Sequence, residues 1–211
     1  QNTLTPEMLI ELNRVSAVGI TDDNLNVIYT VSKVNILESE KSRVMYILPL
    51  TGGEPKEIID VADFIVRDVQ TSPDGKYELV AEDVKLKNVN GVDFYPELTK
   101  SNVQIYEDLN YRHWDVWEDG AFSHIFIEEK GSGIRTDIME DEPYDCPQKP
   151  FGGSEDYIWS PDGKSVLYVA KKLYGKEYAL STNTDIYSYD LVTKITTNLT
   201  AENKGYDTQP S

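Results

Sequence analysis

The sequence predicts an all-β chain: a partial β-propeller of about three four-stranded blades, with a short N-terminal helix and an insertion in the second blade. Three observations predict it. Ser72-Pro73-Asp74-Gly75-Lys76 returns unchanged as Ser160-Pro161-Asp162-Gly163-Lys164. Short runs rich in β-branched and aromatic residues flank both copies, and the 14 tyrosines suit strands better than helices. The turns also recur with a spacing that four-stranded modules explain and a simple sandwich does not.

The elements follow in order. Thr5 is a good helix N-cap, Pro6 suits the first helical position, and Glu7 favours the positive end of the helix dipole. Met8, Leu9, Leu12 and Val15 then fall at helical spacing, so 1–14 reads as a helix and 15–211 as the propeller portion. In the first blade, about 15–60, a weaker turn copy, Thr21-Asp22-Asp23-Asn24-Leu25, separates strands at 15–20 and 27–31. Met45-Tyr46-Ile47-Leu48 and 55–59 complete it. The second blade, about 64–140, has strands at 64–69, 77–81, 124–127 and 134–139. The third, 156–200, has strands at 157–159, 166–169, 185–191 and 194–200, and 201–211 begins a further module. In each strong turn Pro presets φ, Asp can bond its own backbone and Gly accepts positive φ.

Thr21 to Ser72 is 51 positions and Ser72 to Ser160 is 88, an excess of 37. An insertion at about 84–121, between the second and third strands, accounts for it. A further 51 positions from Ser160 reach Ser211. Propellers close with about four to eight blades, and three would leave exposed edges, so the expectation is a fragment. The abrupt Gln1-Asn2-Thr3 start adds the expectation of a trimmed terminus.

Composition sets the partners. With 20 basic and 37 acidic residues the formal charge is −17, which argues against nucleic acid and anionic membrane surfaces. A 39% hydrophobic fraction supports a core. Cys146 is the sole cysteine, so no internal disulfide is expected. No apolar run reaches the roughly 18 residues that span a bilayer.

The ordered motifs resemble two groups of propellers, the periplasmic TolB-type repeats and the N-terminal propeller of the prolyl oligopeptidase family of serine peptidases. The Ser-Pro-Asp-Gly-Lys turns and the later Asp185-Ile186-Tyr187 strand fit both. Leu4-Thr5-Pro6-Glu7 looks like the start of bacterial members of the peptidase family. Tyr111-Arg112-His113-Trp114-Asp115-Val116-Trp117 with His124-Ile125-Phe126 is similar to its dipeptidyl-aminopeptidase-like branch, as is Phe151-Gly152-Gly153-Ser154-Glu155-Asp156 leading into Trp159. The resemblance implies a propeller that gates access to a triad on a following α/β-hydrolase domain, admitting short peptides and cutting near their N-termini. That domain and a peptide substrate are the implied partners, with no cofactor and a periplasmic or secreted location; homo-oligomerisation stays open. Nowhere in the 211 residues is there a Gly-x-Ser-x-Gly nucleophile elbow: Gly131-Ser132-Gly133 and Gly153-Ser154-Glu155 both fail its spacing, so no catalytic residue is expected here. The alternative is a non-catalytic TolB-like propeller acting as a protein-interaction scaffold.

The candidate substrate-binding residues are Arg112, Trp114, Asp115, Trp117 and Glu118, clustered within seven positions of the insertion. Their structural reading is aromatics pinning the insertion and Arg112 paired with a local carboxylate. Dipeptidyl peptidases of the resembling family hold a free α-amino group with acids on a propeller insertion, and Glu118 or the pair Glu128-Glu129 has that chemistry. No metal site is expected: His113 and His124 read as packing or hydrogen-bonding groups, and Asp22-Asp23-Asn24-Leu25-Asn26 lacks the glycine and final Glu of a calcium loop. Asn198-Leu199-Thr200 matches a glycosylation acceptor.

Overall fold

The computed structural model describes residues 3–21, 23–61, 64, 69–109 and 111–211, which form two compact units, Gln1–Asp68 and Val69–Ser211. In the first, α1 (Pro6–Glu11) starts at Thr5, whose Oγ1 accepts the Met8 N–H at 3.3 Å. The helix stops earlier than its apolar spacing implied: Leu12 is already extended at ψ 127° and Val15 belongs to a strand. Nothing on α1 is buried, so no packing prolongs it. Then β1 (Arg14–Ile20), β2 (Asn26–Asn35), β3 (Glu40–Pro49) and β4 (Lys56–Ile58) form an antiparallel meander in sequence order. Its buried positions are few: Ile28, Thr30 and Thr21.

The second unit contains β5 (Tyr77–Lys85), α2 (Gly91–Phe94), β6 (Arg112–His113), β7 (Val116–Trp117), β8 (Ala121–Glu129) and β9 (Arg135–Asp137). It continues with β10 (Tyr157–Trp159), β11 (Ser165–Ala170), α3 (Gly175–Leu180), β12 (Asp185–Asp190) and β13 (Thr196–Asn198). β10 to β13 form a four-stranded meander, and β5, β8 and β9 a three-stranded sheet. The strand expected at 64–69 in front of β5 falls largely outside the described residues. What is described there already pairs: Thr71 bridges Glu78, and the Leu79 N–H donates to the Gln70 carbonyl at 2.9 Å.

These two sheets share one core. Leu79, Ile125 and Ile127 come from the first, and Trp159, Val166, Tyr168, Tyr187 and Tyr189 from the second. Alternation puts every second side chain inward, as in Val166, Tyr168 and Ala170. Tyr168 is fully buried and stacks on Tyr187 at 5.5 Å. Trp159 donates its indole N–H to the Gln70 carbonyl at 2.8 Å, so its polar atom is not lost on burial. His124, also fully buried, hydrogen-bonds through Nδ1 to Asp137 at 2.8 Å and through Nε2 to the Glu142 carbonyl at 2.8 Å. It is a structural hydrogen-bonding residue.

The three turns use one hydrogen-bond pattern. Ser72 Oγ donates to Asp74 at 2.7 Å and accepts the Tyr77 N–H at 2.9 Å, while Asp74 accepts the Lys76 N–H at 3.1 Å. Ser160, Asp162, Lys164 and Ser165 repeat it at 2.8, 3.1 and 3.0 Å. Thr21, Asp23, Leu25 and Asn26 repeat it again at 2.6, 2.9 and 3.0 Å. The position with φ near +70° is Gly75 or Gly163 in the strong copies and Asn24, at φ 56°, in the weak one. Asn is among the few side chains that tolerate this region. The Asp23 carboxylate is thus turn chemistry; Asp22 lies outside the described residues.

The connector after the second strand of each sheet differs far more. Between β2 and β3 it is the tight turn 36–39; between β5 and β8 it is 86–120; between β11 and β12 it is 171–184, which carries α3, an element with no sequence expectation. Asn198 donates from Nδ2 to Asp185 at 3.0 Å and accepts the Thr200 N–H at 3.0 Å, so its amide is engaged inside the sheet edge.

Candidate functional site

The connector 86–120 folds back on its own base. Leu86 and Lys87 both donate backbone N–H groups to the Gly120 carbonyl at 3.0 Å. Gly120 has φ 85°, and a Cβ there would stand 2.1 Å from the Lys87 carbonyl oxygen, so only glycine fits. Asp93 caps α2 by accepting the Val89 and Asn90 N–H groups at 3.0 and 2.9 Å and pairs with Lys85 at 2.7 Å. The outer part is a small hairpin in which β6 pairs with β7, Arg112 opposite Trp117.

This hairpin brings four of the five candidate residues together by contact or neighbouring position. Tyr106, Tyr111 and Trp117 brace one another: Trp117 lies 6.0 Å from Tyr111 and 6.1 Å from Tyr106, with interplanar angles of 15° and 17°. Arg112 pairs with no carboxylate among the described residues. Its Nε donates to the Trp114 carbonyl at 2.8 Å, and its guanidinium sits 5.1 Å from the Trp117 ring centre, because the hairpin turn offers those partners first. Trp114, at φ 50°, projects from the turn to meet His113 at 4.6 Å and Phe151 at 5.8 Å. Asp115, the fifth, is exposed at the hairpin tip.

Glu118 lies on the inner side, half-buried. Its backbone carbonyl accepts the Tyr106 hydroxyl at 2.6 Å, which fixes the strand, while no hydrogen bond holds its carboxylate among the described residues. Burial, reinforced by the Asp145 charge, pushes its pKa upward. Asp145 is likewise raised by burial, although it accepts the Ser123 N–H at 2.9 Å and the Lys149 ammonium at 3.1 Å. Lys149 reaches Asp83 at 3.4 Å as well; burial would lower its pKa, but these two carboxylates outweigh it and hold it above the ordinary value. His113 Nε2 is buried without a partner among the described residues. The result is a half-buried polar patch under an exposed aromatic shelf.

Glu128 and Glu129 are elsewhere. They sit at the far end of β8, opposite Glu78 and Tyr77, where Glu128 pairs with Arg135 at 2.7 Å and Glu129 accepts the Ser132 hydroxyl at 2.6 Å. Of the three glutamates considered for the amine, only Glu118 adjoins the hairpin. Ser154 lies in a short 3-10 turn, Ser154–Asp156, that enters β10 directly, the reverse of a nucleophile that follows a strand. No group of three or more potential metal ligands occurs among the described residues.

Sequence reasoning missed the contribution of 171–184. Tyr174 lies 4.3 Å from the Lys87 ammonium, and Gly175 packs against Asp108. Ala179 lines a groove of about 490 Å³ together with Leu109, Tyr111, Arg112, Trp114 and Trp117. A neighbouring groove of about 380 Å³ is lined by Tyr106, Glu107, Asp108, Leu109 and Tyr111. The available signal was positional: both connectors follow the second strand of their sheets and so emerge at the same end.

Among known proteins, the chain is 33% identical to dipeptidyl-peptidase 5 of Porphyromonas gingivalis over 253 aligned positions, which cover 98% of this chain and 37% of that protein. It is 31% identical to dipeptidyl-peptidase 5 of Porphyromonas endodontalis, covering 99% of this chain and 36% of the relative. A probable dipeptidyl-peptidase 5 of Aspergillus niger is 26% identical over 86% of this chain and 28% of its own length. The chain thus spans roughly a third of the length of these curated relatives. No family model matches it.

Proposed function

We propose that this chain is the propeller portion of a prolyl oligopeptidase family serine peptidase of dipeptidyl-peptidase type, periplasmic or secreted. The match to dipeptidyl-peptidase 5 over 98% of the chain carries the reading. The repeated meanders with one turn pattern, and the lack of any nucleophile elbow in the 211 residues, agree with a non-catalytic portion. In this proposal the nucleophile, base and oxyanion hole lie on an α/β-hydrolase domain that the chain does not span. The propeller selects short peptides by size, and its insertion supplies part of the grip on them.

Within that grip, Glu118 takes the peptide's free α-amino group. The carboxylate is half-buried on a braced hairpin and has no hydrogen-bond partner of its own among the described residues. An arriving ammonium would add its opposite charge to the one Lys149 already supplies and draw the raised pKa back down. In the full-length protein, Glu118→Gln should raise KM for unblocked dipeptidyl substrates about tenfold or more while kcat changes little. An unchanged KM would falsify the anchoring role. Failure of the full-length protein to react with a fluorophosphonate serine-hydrolase probe would overturn the peptidase reading and leave the interaction-scaffold reading standing.

A further inference from the structure

The aromatic shelf presents more surface than packing of the hairpin requires. Trp114 is 68% exposed, Trp117 45% and Tyr111 42%, although these are large rings that burial would favour. The rings are nonetheless held rigidly, because Trp117 stacks on both Tyr106 and Tyr111 and Trp114 rests edge-on against Phe151. A rigid aromatic wall loses little conformational freedom when a ligand arrives.

Charge selects the ligand. Across residues 105–120 the acids are Glu107, Asp108, Asp115, Glu118 and Asp119, and Arg112 is the sole Lys or Arg. Arg112 is already spent on the Trp114 carbonyl and the Trp117 face. Another cation, Lys87, stands over the Tyr174 and Phe122 rings at 4.3 and 5.2 Å and already feels the Asp108 charge, which leaves Glu107 as the less engaged acid. The two grooves share Leu109 and Tyr111, so an apolar compartment adjoins one that Glu107 and Asp108 border beside the Tyr106 and Tyr111 rings. A carboxylate next to an aromatic ring suits an ammonium or guanidinium group.

We infer that this double groove docks a peptide segment carrying a bulky apolar side chain next to a Lys or Arg. The apolar group enters between Trp114, Trp117 and Ala179, and the cation lies toward Glu107. The choice of a peptide rests on the proposed function, but the site is separate from the amine anchor at Glu118 and requires no free N-terminus.

The test uses the full-length protein and N-acetylated, C-amidated peptides carrying fluorescein on the side-chain amine of an added C-terminal lysine, Ala-Arg-Trp-Ala-Lys against Ala-Glu-Trp-Ala-Lys, read by fluorescence anisotropy. The Arg-Trp peptide should bind about tenfold or more tightly than the Glu-Trp peptide, and the difference should shrink with added salt. Trp117→Ala should weaken binding about tenfold and Glu107→Gln about threefold. If Trp117→Ala fails to fold, Trp114→Ala and Glu107→Gln at exposed positions carry the test, with loss of binding expected for both. Equal binding of the two peptides, or binding indifferent to these substitutions, overturns the proposal. So does self-association of the protein that Trp114→Ala abolishes while no peptide binds. Acetylation separates the two claims: an unreactive serine-hydrolase probe or an unchanged KM in Glu118→Gln strikes the proposed function and leaves this binding measurement intact.

Discussion

The two ends of the repeated sheets follow opposite rules. At the turn end, Thr21, Ser72 and Ser160 make the same two side-chain hydrogen bonds, although one copy replaces Ser with Thr and Gly with Asn. At the connector end the three modules share nothing, running from the tight turn 36–39 to the 86–120 excursion. The turn end is constrained because each hairpin must reverse within a few residues and still satisfy its backbone. A long surface connector escapes that constraint, since each doubling of loop length costs only about 0.6 kcal/mol of closure entropy. Chemistry can accumulate where geometry is permissive. In this chain the aromatic shelf and Glu118 have done so.

The largest expected effect joins the two ends. Gly120→Ala would force a side chain into positive φ and onto the Lys87 carbonyl, so stability should fall by on the order of 3 kcal/mol in chemical denaturation. A loss well below 1 kcal/mol would mean that the insertion is only loosely tied to its sheet.

Next comes the repeated turn. Ser72→Ala strands the Tyr77 N–H at a buried position and should cost about 1–3 kcal/mol. Ser160→Ala should cost less, since Ser160 is only half-buried. Equal or absent losses would break the view that this end bears the fold.

A smaller effect separates the ends by pH. Asp74 is held at about 2, chiefly by the Ser72 hydroxyl and then by Lys76. A depressed acid contributes stability above its unfolded value of 3.8, and that contribution disappears as pH falls through the folded value near 2. Glu118 has the opposite sign: the folded chain keeps its proton to higher pH than the unfolded chain does, so its contribution to stability declines as pH rises above 4.5. Thermal unfolding should therefore show Asp74→Asn losing its disadvantage below about pH 2, and Glu118→Gln gaining relative to the parent over the interval in which pH rises above 4.5. A Glu118→Gln curve parallel to the parent over that interval would contradict the burial of the carboxylate.

The smallest effect on stability belongs to Trp114→Ala, expected within about 0.5 kcal/mol because the ring is mostly exposed. Peptide binding should nevertheless weaken, and that split between folding and binding would sharpen the contrast between the ends most directly.

Much of the fold was legible because turn chemistry is local. The bonds of Ser72, Asp74 and Gly75 span five positions, so residue types at fixed offsets declare them. The Tyr157–Trp159 strand and the placement of Asp185-Ile186-Tyr187 follow from the same short-range pattern. The end of α1 departs from its apolar spacing, which continues through Val15, because a helix with no buried face gains nothing by following it.

The sequence by itself determined the antiparallel modules, the turn that repeats through them, and the insertion as the place where unusual side chains gather. Only the tertiary structure decided that Arg112 would rest on Trp117, that Glu128 would lie toward the far end of β8 from Ala121 while Glu118 stays beside the hairpin, and that Ala179, some 60 positions away, would line the same groove as Trp117. Turn and strand signals act over a few residues, but burial, pKa and groove shape depend on which distant segments meet. Those meetings are set by packing two sheets on a shared core, a property that no local window of the chain contains.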